Sequence, residues 1–375
     1  MPVKQKLIIA IVAMSIAGLA VYFTYGRDAM RRANVNRIQM ENPSAAPSGS
    51  QTIANTGPVS AFSGVSCENW NRRPIAVMQP ADLSARPAAG FSDADMVFEM
   101  PVITATINRL MAVYQCTLPT EVGAVRSSRH DFLHLAKSLN AIYVHWGGSH
   151  FALERIKEGI LDNIDCTGAA GNSAGEDVCF RPDELLAKFR AGKMKFEDTS
   201  RVNVQAAFAR SEALGYGLEN TFVGYPHQEE APLADRSSTA HLRIGYPGSG
   251  EVEYFYDKES NTWKRLWGNV EDTDRNNGVR IAPKNLVTLF VESEQIEGQY
   301  NNLKFGDPWG DQVDSGDAFY YMNGKQIRGT WKKDRTNIAS KLLFLDQSGN
   351  EVKFIPGQIW VNVVEPGTGY KWEQS

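Results

Sequence analysis

Cysteine, histidine and basic runs are scarce in this chain, and each shortage excludes a class of function. The 375 residues include four cysteines and six histidines. No two cysteines have CxxC spacing and no histidine lies at zinc-finger spacing, so we expect no metal site and no cofactor. No run of lysine and arginine follows residue 32, and the formal net charge is −4. Nothing therefore indicates a nucleic-acid partner.

Charge is missing altogether from residues 7–26, which read LIIAIVAMSIAGLAVYFTYG. About 20 such residues are enough to cross the hydrocarbon core of a bilayer as one helix. A cleaved signal peptide is the alternative, but this run is long for one and no clear cleavage site follows it. We therefore predict that residues 1–26 are a membrane anchor. The flanking charges do not fix the orientation, because lysines precede the span and arginines follow it.

The four cysteines indicate the compartment. An even number of cysteines in an anchored chain is typical of an oxidising environment, so we expect the rest of the chain outside the cytoplasm. Cys166 and Cys179 bracket a glycine-rich polar loop, and a disulfide there would stabilise the fold by ~3 kcal/mol. Cys67 and Cys116 would then form the second bridge. Four cysteines allow three connectivities, and free buried thiols remain an alternative.

Composition and periodicity divide the remaining chain into three parts. Residues 27–66 are rich in Pro, Gly, Ser, Ala and Asn and are predicted to be a flexible linker. Residues 67–231 interleave strand and helix patterns, which favours a mixed α/β domain. Residues 232–375 are rich in hairpin signals, among them Asn323-Gly324, and are predicted to be a β-rich domain. Its last strand is predicted at residues 358–364, with Trp372 in a tail.

The stretch 123–151 is the best candidate for a site. It predicts a helix at residues 131–139 capped by Ser128, a buried strand at 141–145, and a glycine turn that leads into a second helix capped by Ser149. Both helix N-termini would lie near Arg126 and Arg129, and such termini attract anions. The structural alternative is that these arginines pair with carboxylates of neighbouring elements.

An ordered set of motifs resembles a known family. The motifs lie at 73–78 (RPIAVM), 86–90 (RPAAG), 94–99 (ADMVFE), 123–129 (GAVRSSR), 143–149 (YVHWGGS), 329–332 (GTWK) and 356–361 (PGQIWV). Over roughly residues 70–365 the chain resembles the YerB-like lipoproteins, a bacterial family of unestablished biochemical function. The resemblance implies an α+β fold: a layered, mixed α/β sandwich domain followed by a β-rich domain. The chain departs from the family in having an apolar segment instead of a lipidated N-terminal cysteine, and in lacking a Pro-His-Asn segment.

Two functions follow from these features. The first is an extracytoplasmic envelope protein that binds an anionic cell-wall polymer or a partner protein, without catalysis. Its expected ligand-binding residues are Arg86, Arg109, Arg126, Arg129, Gly147, Gly148 and Ser149, with Arg181 as a contributor. The alternative is an envelope hydrolase in which Glu99 or Asp95 acts as an acid or base together with His145. No nucleophile-elbow motif supports a serine hydrolase.

Overall fold

The computed structural model describes residues 58–103, 107–168, 174–175, 177–246, 250–309 and 312–375. The predicted anchor and residues 27–57 of the predicted linker lie outside this range. No helix in the described range is long and apolar enough to cross a membrane. The described residues all belong to one compact unit, Asn55–Ser375.

Strands outnumber helices in the described residues. The strands are β1 Ile75–Pro80, β2 Met96–Ile103, β3 Ile107–Tyr114, β4 Val122–Gly123, β5 Ile142–His145, β6 Asn163–Asp165, β7 Cys179–Phe180, β8 Arg201–Val202, β9 Ala240–Gly245, β10 Val252–Asp257, β11 Thr262–Trp267, β12 Val270–Glu271, β13 Asn285–Phe290, β14 Ser293–Ile296, β15 Tyr300–Leu303, β16 Ser315–Met322, β17 Lys325–Lys332, β18 Leu343–Asp346, β19 Ile359–Val364 and β20 Gly369–Gln374. The helices are α1 His130–Ser138, α2 His150–Lys157, α3 Asp183–Arg190 and α4 Val204–Ala213.

The largest sheet has 12 strands and contains strands from both predicted halves of the chain. Ten of them follow the order β18-β17-β16-β13-β19-β2-β3-β1-β5-β6, and β15, paired with β14, joins at β2. The halves meet where β19 lies parallel to β2, with Trp360 opposite Val97. The ranges 67–231 and 232–375 therefore share one sheet.

The two faces of the large sheet bury different layers. Along β1, Ala76 and Met78 pack into the core that contains α1 and α2. Ile75 and Val77 point to the opposite core, as the period of two in a strand requires. That second core contains α4 and the five-stranded sheet β12-β11-β10-β9-β20. The fold is therefore mixed α/β, with few helices around a large sheet.

Several local predictions from the sequence are confirmed. The stretch 123–151 forms α1, β5 and α2 in the expected order, and Ser149 caps α2 by accepting a hydrogen bond from the Ala152 N–H at 3.3 Å. Asn323 and Gly324 join β16 to β17 with left-handed φ values of 56° and 70°. Both predicted disulfides are present, with Cα–Cα distances of 5.5 Å for Cys67–Cys116 and 5.6 Å for Cys166–Cys179.

Three details differ from the sequence predictions. Ser128 does not cap α1; Arg129 is the N-cap residue without a side-chain hydrogen bond, and the Ser128 hydroxyl accepts one from Tyr143 instead. The strand at residues 359–364 is not the last one, because β20 follows it and pairs with β9. Trp372 of β20 packs against Trp263 and does not lie in a tail. Residues 58–66 belong to the folded body and not to a linker, because Phe62 is fully buried in the core.

Candidate functional site

Three arginines meet near the N-terminal end of α1. Arg109 lies in β3 on the face of the sheet that carries α1. Arg126 and Arg129 lie in the segment between β4 and α1. Backbone hydrogen bonds fix that segment: the Arg126 N–H donates to the Met78 carbonyl at 2.9 Å, and the Arg126 carbonyl accepts from the Trp146 N–H at 3.0 Å. The segment therefore lies across the ends of β1 and β5.

The carboxylates near this cluster satisfy only part of its charge. Arg126 pairs with the buried Asp198 and also donates to the Glu197 carbonyl at 2.5 Å. Asp82 lies 3.8 Å from Arg126 and 3.9 Å from Arg109. No carboxylate pairs with Arg129 in the part of the chain that the structure describes. The structural alternative is thus correct for Arg126. Among the described residues, Arg109 has only the carboxylate of Asp82, 3.9 Å away, and Arg129 has no paired carboxylate.

Hydrogen-bond donors remain unused in Arg109 and Arg129. The Nε of each is buried and has no partner among the described residues. Arg129 donates from Nη1 to the Ser128 carbonyl at 2.9 Å and lies over the Tyr300 ring, 5.7 Å from its centre. Buried donors without a partner destabilise a fold, because their hydration is lost and nothing replaces it. A bound anion would satisfy them.

The pKa values of Arg109 and Arg129 are also lowered, as expected for buried cations with few anionic partners. Burial, followed by repulsion from Arg129 and Arg126, lowers the pKa of Arg109 to about 9. Burial is also the main cause that lowers the pKa of Arg129. An anion placed between these guanidinium groups would oppose both effects, because an opposite charge favours the protonated form.

The glycine turn lies directly beside the arginine segment. The Ser128 N–H donates to the Gly147 carbonyl at 2.8 Å, and Ser128 and Gly148 form a parallel bridge. Gly147 has a φ of +66°, which a residue with a side chain rarely adopts. A Cβ at Gly148 would lie 3.2 Å from the Ser128 Cβ. The two glycines therefore permit the close approach that places Arg129 next to the turn.

Arg86 lies apart from the other three arginines, on the opposite face of the large sheet. Its guanidinium carbon stacks 3.7 Å from the centre of the Trp267 ring, and its Nη1 lies 3.7 Å from Asp272. Asp272 pairs with Arg265, which in turn pairs with Glu99 at 2.9 Å. Arg86 therefore belongs to a buried network of charges between the two sheets.

The predicted catalytic carboxylates hold separate parts of the fold. Glu99 is fully buried and accepts hydrogen bonds from Arg265 and, at 3.3 Å, from the Trp360 indole. Asp95 precedes β2 and accepts four hydrogen bonds: from the Ser60 and Ser63 hydroxyls at 2.8 and 2.6 Å, and from the backbone N–H groups of Gln115 and Cys116 at 2.8 and 3.1 Å. Asp95 thereby fastens the segment 58–66 to the body.

His145 is also fully buried. Its Nδ1 lies 2.8 Å from the Gly147 carbonyl, and its Nε2 lies 3.3 Å from the Asn163 side-chain oxygen. Burial lowers the pKa of His145. Among the described residues, no hydrogen bond or ion pair joins His145 to Asp95 or Glu99. The structure thus brings together Arg109, Arg126, Arg129 and the glycine turn, and it does not bring together the three predicted catalytic residues.

Sequence reasoning missed both acidic residues of the cluster. Asp82 follows β1, and Asp198 lies in a short 3-10 helix, Phe196–Thr199. Asp198 is 72 positions from Arg126 in the chain. No local pattern links such distant positions, so only the folded chain identifies them.

Two family models match the chain. "Protein of unknown function (DUF3048) N-terminal domain" matches residues 62–210, and "Protein of unknown function (DUF3048) C-terminal domain" matches residues 242–361. Together they cover most of the described chain. The order of the two matches agrees with the order of the motifs in the sequence.

A curated protein and a solved structure are similar to the chain. The chain is 27% identical over 303 residues to "Putative lipoprotein YerB" of Bacillus subtilis (strain 168), which covers 78% of this chain and 81% of that protein. The crystal structure of YerB from Bacillus subtilis matches with a TM-score of 0.67 at 25% identity, over 82% of this chain and 96% of that chain. The resemblance drawn from the motifs is confirmed.

Proposed function

The chain belongs to the DUF3048 family and is similar to a protein named as a putative lipoprotein. We propose that it is an envelope protein exposed outside the cytoplasm. The uncharged residues 7–26 would anchor it in the membrane by one helix. Two disulfides support an oxidising compartment. The anchor replaces the lipid that the relative's name implies for that protein.

We further propose that the protein binds an anionic group of an envelope polymer at Arg109 and Arg129, beside the paired Arg126. One observation carries this proposal: the buried Nε of Arg109 and that of Arg129 have no hydrogen-bond partner among the described residues. Guanidinium groups suit carboxylate and phosphate, because their planar forks form paired, charge-assisted hydrogen bonds. Gly147 and Gly148 would let the ligand approach the backbone closely.

The hydrolase alternative gains no support from the geometry. Glu99 and Asp95 are buried: Asp95 accepts four hydrogen bonds, and Glu99 is paired with Arg265 through one of its two oxygens. His145 has partners on both ring nitrogens. A general acid or base must lie within hydrogen-bond reach of its substrate. Binding without turnover is therefore the function that we propose.

Titration calorimetry of the full-length protein in detergent micelles tests this proposal, with inorganic phosphate and galacturonate as probes. Arg129→Ala should weaken binding roughly tenfold to a hundredfold, or ~1.5–3 kcal/mol, because one charge-assisted contact is lost. Arg109→Met should act in the same direction while preserving the packing around that buried side chain. Raised ionic strength should weaken wild-type binding less than it would at an exposed site, since the cluster is largely buried.

Arg328→Ala is the matched control, because Arg328 is exposed on β17 and contributes nothing to the cluster. It should bind like the wild type. If Arg109→Met and Arg129→Ala melt at the wild-type temperature and bind both probes with wild-type affinity, the arginines have no ligand role. The proposal would also be overturned if the wild type bound neither phosphate nor galacturonate.

A further inference from the structure

Arg181 lies beside the arginine cluster, stacks on two aromatic rings and has no carboxylate partner among the described residues. We propose that Arg181, Trp146 and Phe196 form a second subsite, and that the ligand spanning both subsites is an acidic polysaccharide. This inference rests on the proposed binding function and extends it by naming the class of ligand. In this arrangement one acidic sugar occupies the arginine cluster and a neighbouring sugar ring of the same polymer occupies the second subsite.

The side chain of Arg181 is fixed in place. Its guanidinium carbon lies 4.5 Å from the centre of the Trp146 ring and 4.1 Å from that of the Phe196 ring. Nη1 donates to the Phe196 carbonyl at 2.8 Å and to the Thr199 hydroxyl at 2.7 Å. No carboxylate pairs with Arg181 within the described ranges. A cation ordered in this way needs little further ordering to bind an anion.

The two subsites are continuous because they share the same short helix. Arg126 binds the carbonyl of Glu197 and the side chain of Asp198, whereas Arg181 binds the carbonyl of the preceding Phe196. Trp146 donates its backbone N–H to Arg126 and stacks on Arg181. The positive charge of Arg126 also lowers the pKa of Arg181, after burial as the larger cause.

Exposed aromatic rings distinguish this surface from a simple polyanion site. Phe196 is 47% exposed and Phe189 is 40% exposed, and their ring centres are 5.2 Å apart. Exposed apolar rings next to ordered polar groups are typical of binding surfaces. A sugar ring offers an apolar C–H face to such rings while its carboxylate faces a guanidinium group. A poly(glycerol phosphate) chain has the charge but no ring. Asp198 is buried against Arg126, so Asp82 and the exposed Glu197, whose charge acts on Arg181, are the acidic side chains that a polymer would meet.

Titration of the full-length protein in detergent micelles with galacturonate and with hexagalacturonate tests the second subsite. The wild type should bind the hexamer about tenfold more tightly than the monomer, because two linked sugars occupy two subsites. Arg181→Ala and Phe196→Ala should remove most of that gain, so that the hexamer binds little more tightly than the monomer. Phe255→Ala is the control for loss of an exposed ring, since Phe255 is 40% exposed on β10 and lies outside both subsites.

The possible results separate this inference from the proposed function. If Arg129→Ala weakens both ligands while Arg181→Ala and Phe196→Ala change neither, the arginine cluster binds anions and the second subsite is wrong. If poly(glycerol phosphate) of equal charge binds as tightly as the hexamer and Phe196→Ala has no effect on either, the ligand class is wrong. If neither galacturonate nor the hexamer binds to the wild type while phosphate does, the ligand class is wrong. If phosphate also fails to bind, both proposals fail.

Discussion

Asp131 is a carboxyl group whose ionisation the fold opposes. It lies in α1, 1% exposed, and one of its oxygens accepts a hydrogen bond from the Leu303 N–H at 3.1 Å. Burial raises the pKa of Asp131 to about 8. Burial, together with the charge of Asp131, raises the pKa of the nearby Asp307 to about 7. Both groups therefore hold protons in the folded state that the unfolded chain releases.

These protons make stability depend on pH with a definite sign. The stabilising contribution of protonated Asp131 is present below its unfolded pKa near 3.8 and is lost as the pH rises toward about 8. Asp131→Asn cannot ionise and keeps an oxygen for Leu303, so it should be more stable than the wild type at pH 8 by ~1–3 kcal/mol. Urea unfolding at pH 5 and pH 8 measures this difference.

The expected stabilisation by Asp131→Asn should shrink at pH 5, where the wild-type carboxyl is protonated. Asp235→Asn is the control, because Asp235 is exposed and its substitution should change stability by the same small amount at both pH values. An Asp131→Asn effect that is equal at pH 5 and pH 8 would show that the carboxyl does not titrate in this range.

Individual site residues were predictable only when they lay close together in the sequence. Arg126, Arg129 and the glycine turn lie in one stretch whose helix and strand signals are strong, so their proximity followed from local structure. Arg86 was expected with them because of its motif, but its side chain lies on the opposite face, against Trp267. Asp82 and Asp198 depend on tertiary packing, which one sequence does not specify.

At the scale of elements, turn chemistry was the most reliable guide. Asn323-Gly324 predicts the β16–β17 hairpin because both residues must adopt positive φ. The strand β20 was missed because its outward residues are polar and it lies at the edge of its sheet. The segment 58–66 was missed because its anchoring depends on Phe62 and on two serines that bind Asp95, and not on an apolar run.

The β16–β17 turn also packs against the smaller sheet, and substitution there separates two effects. A Cβ at Gly324 would lie 2.5 Å from the Tyr256 ring and 2.8 Å from the Ser237 Cβ. Gly324→Ala should therefore lower the free energy of unfolding by ~2–4 kcal/mol, through both the positive φ and the clash. Urea unfolding with a tryptophan fluorescence readout measures this loss.

Gly349→Ala is the matched control for the Gly324 substitution. Gly349 has a φ of +81°, and a Cβ there would have no neighbour within 4 Å. Gly349→Ala should lower the free energy of unfolding by ~1 kcal/mol, from backbone strain alone. Equal losses for the two variants would mean that the Tyr256 contact adjusts without cost.

At the scale of the molecule, the two family matches share one sheet and one buried charge network. β19 lies between β2 and β13, and Arg265 of β11 pairs with Glu99 of β2. Buried charges left without partners destabilise a fold strongly. Each half alone would therefore contain an open sheet edge, and the first half would also contain an unpaired buried carboxylate.

Separate expression of the two halves tests this dependence. A fragment ending at residue 231 should aggregate or unfold without cooperativity, because β2 lacks its neighbour β19. Co-expression with residues 232–375 should restore a soluble complex with wild-type circular dichroism. Size-exclusion chromatography and thermal melts supply the measurements. A monomeric first fragment that melts cooperatively on its own would show that the halves are independent domains.

The position of β19 has a consequence for export across a membrane. If the chain is delivered N-terminus first, β1, β2 and β3 reach the outside long before residues 359–364, which fill the gap between β2 and β13. During most of the export, the position of β19 between β2 and β13 is therefore unfilled. Cys67 and Cys116 both emerge early. Before β19 arrives, their disulfide can link the segment that precedes β1 to the end of β3. The edge of β2 therefore stays open until residues 359–364 arrive and pair with it.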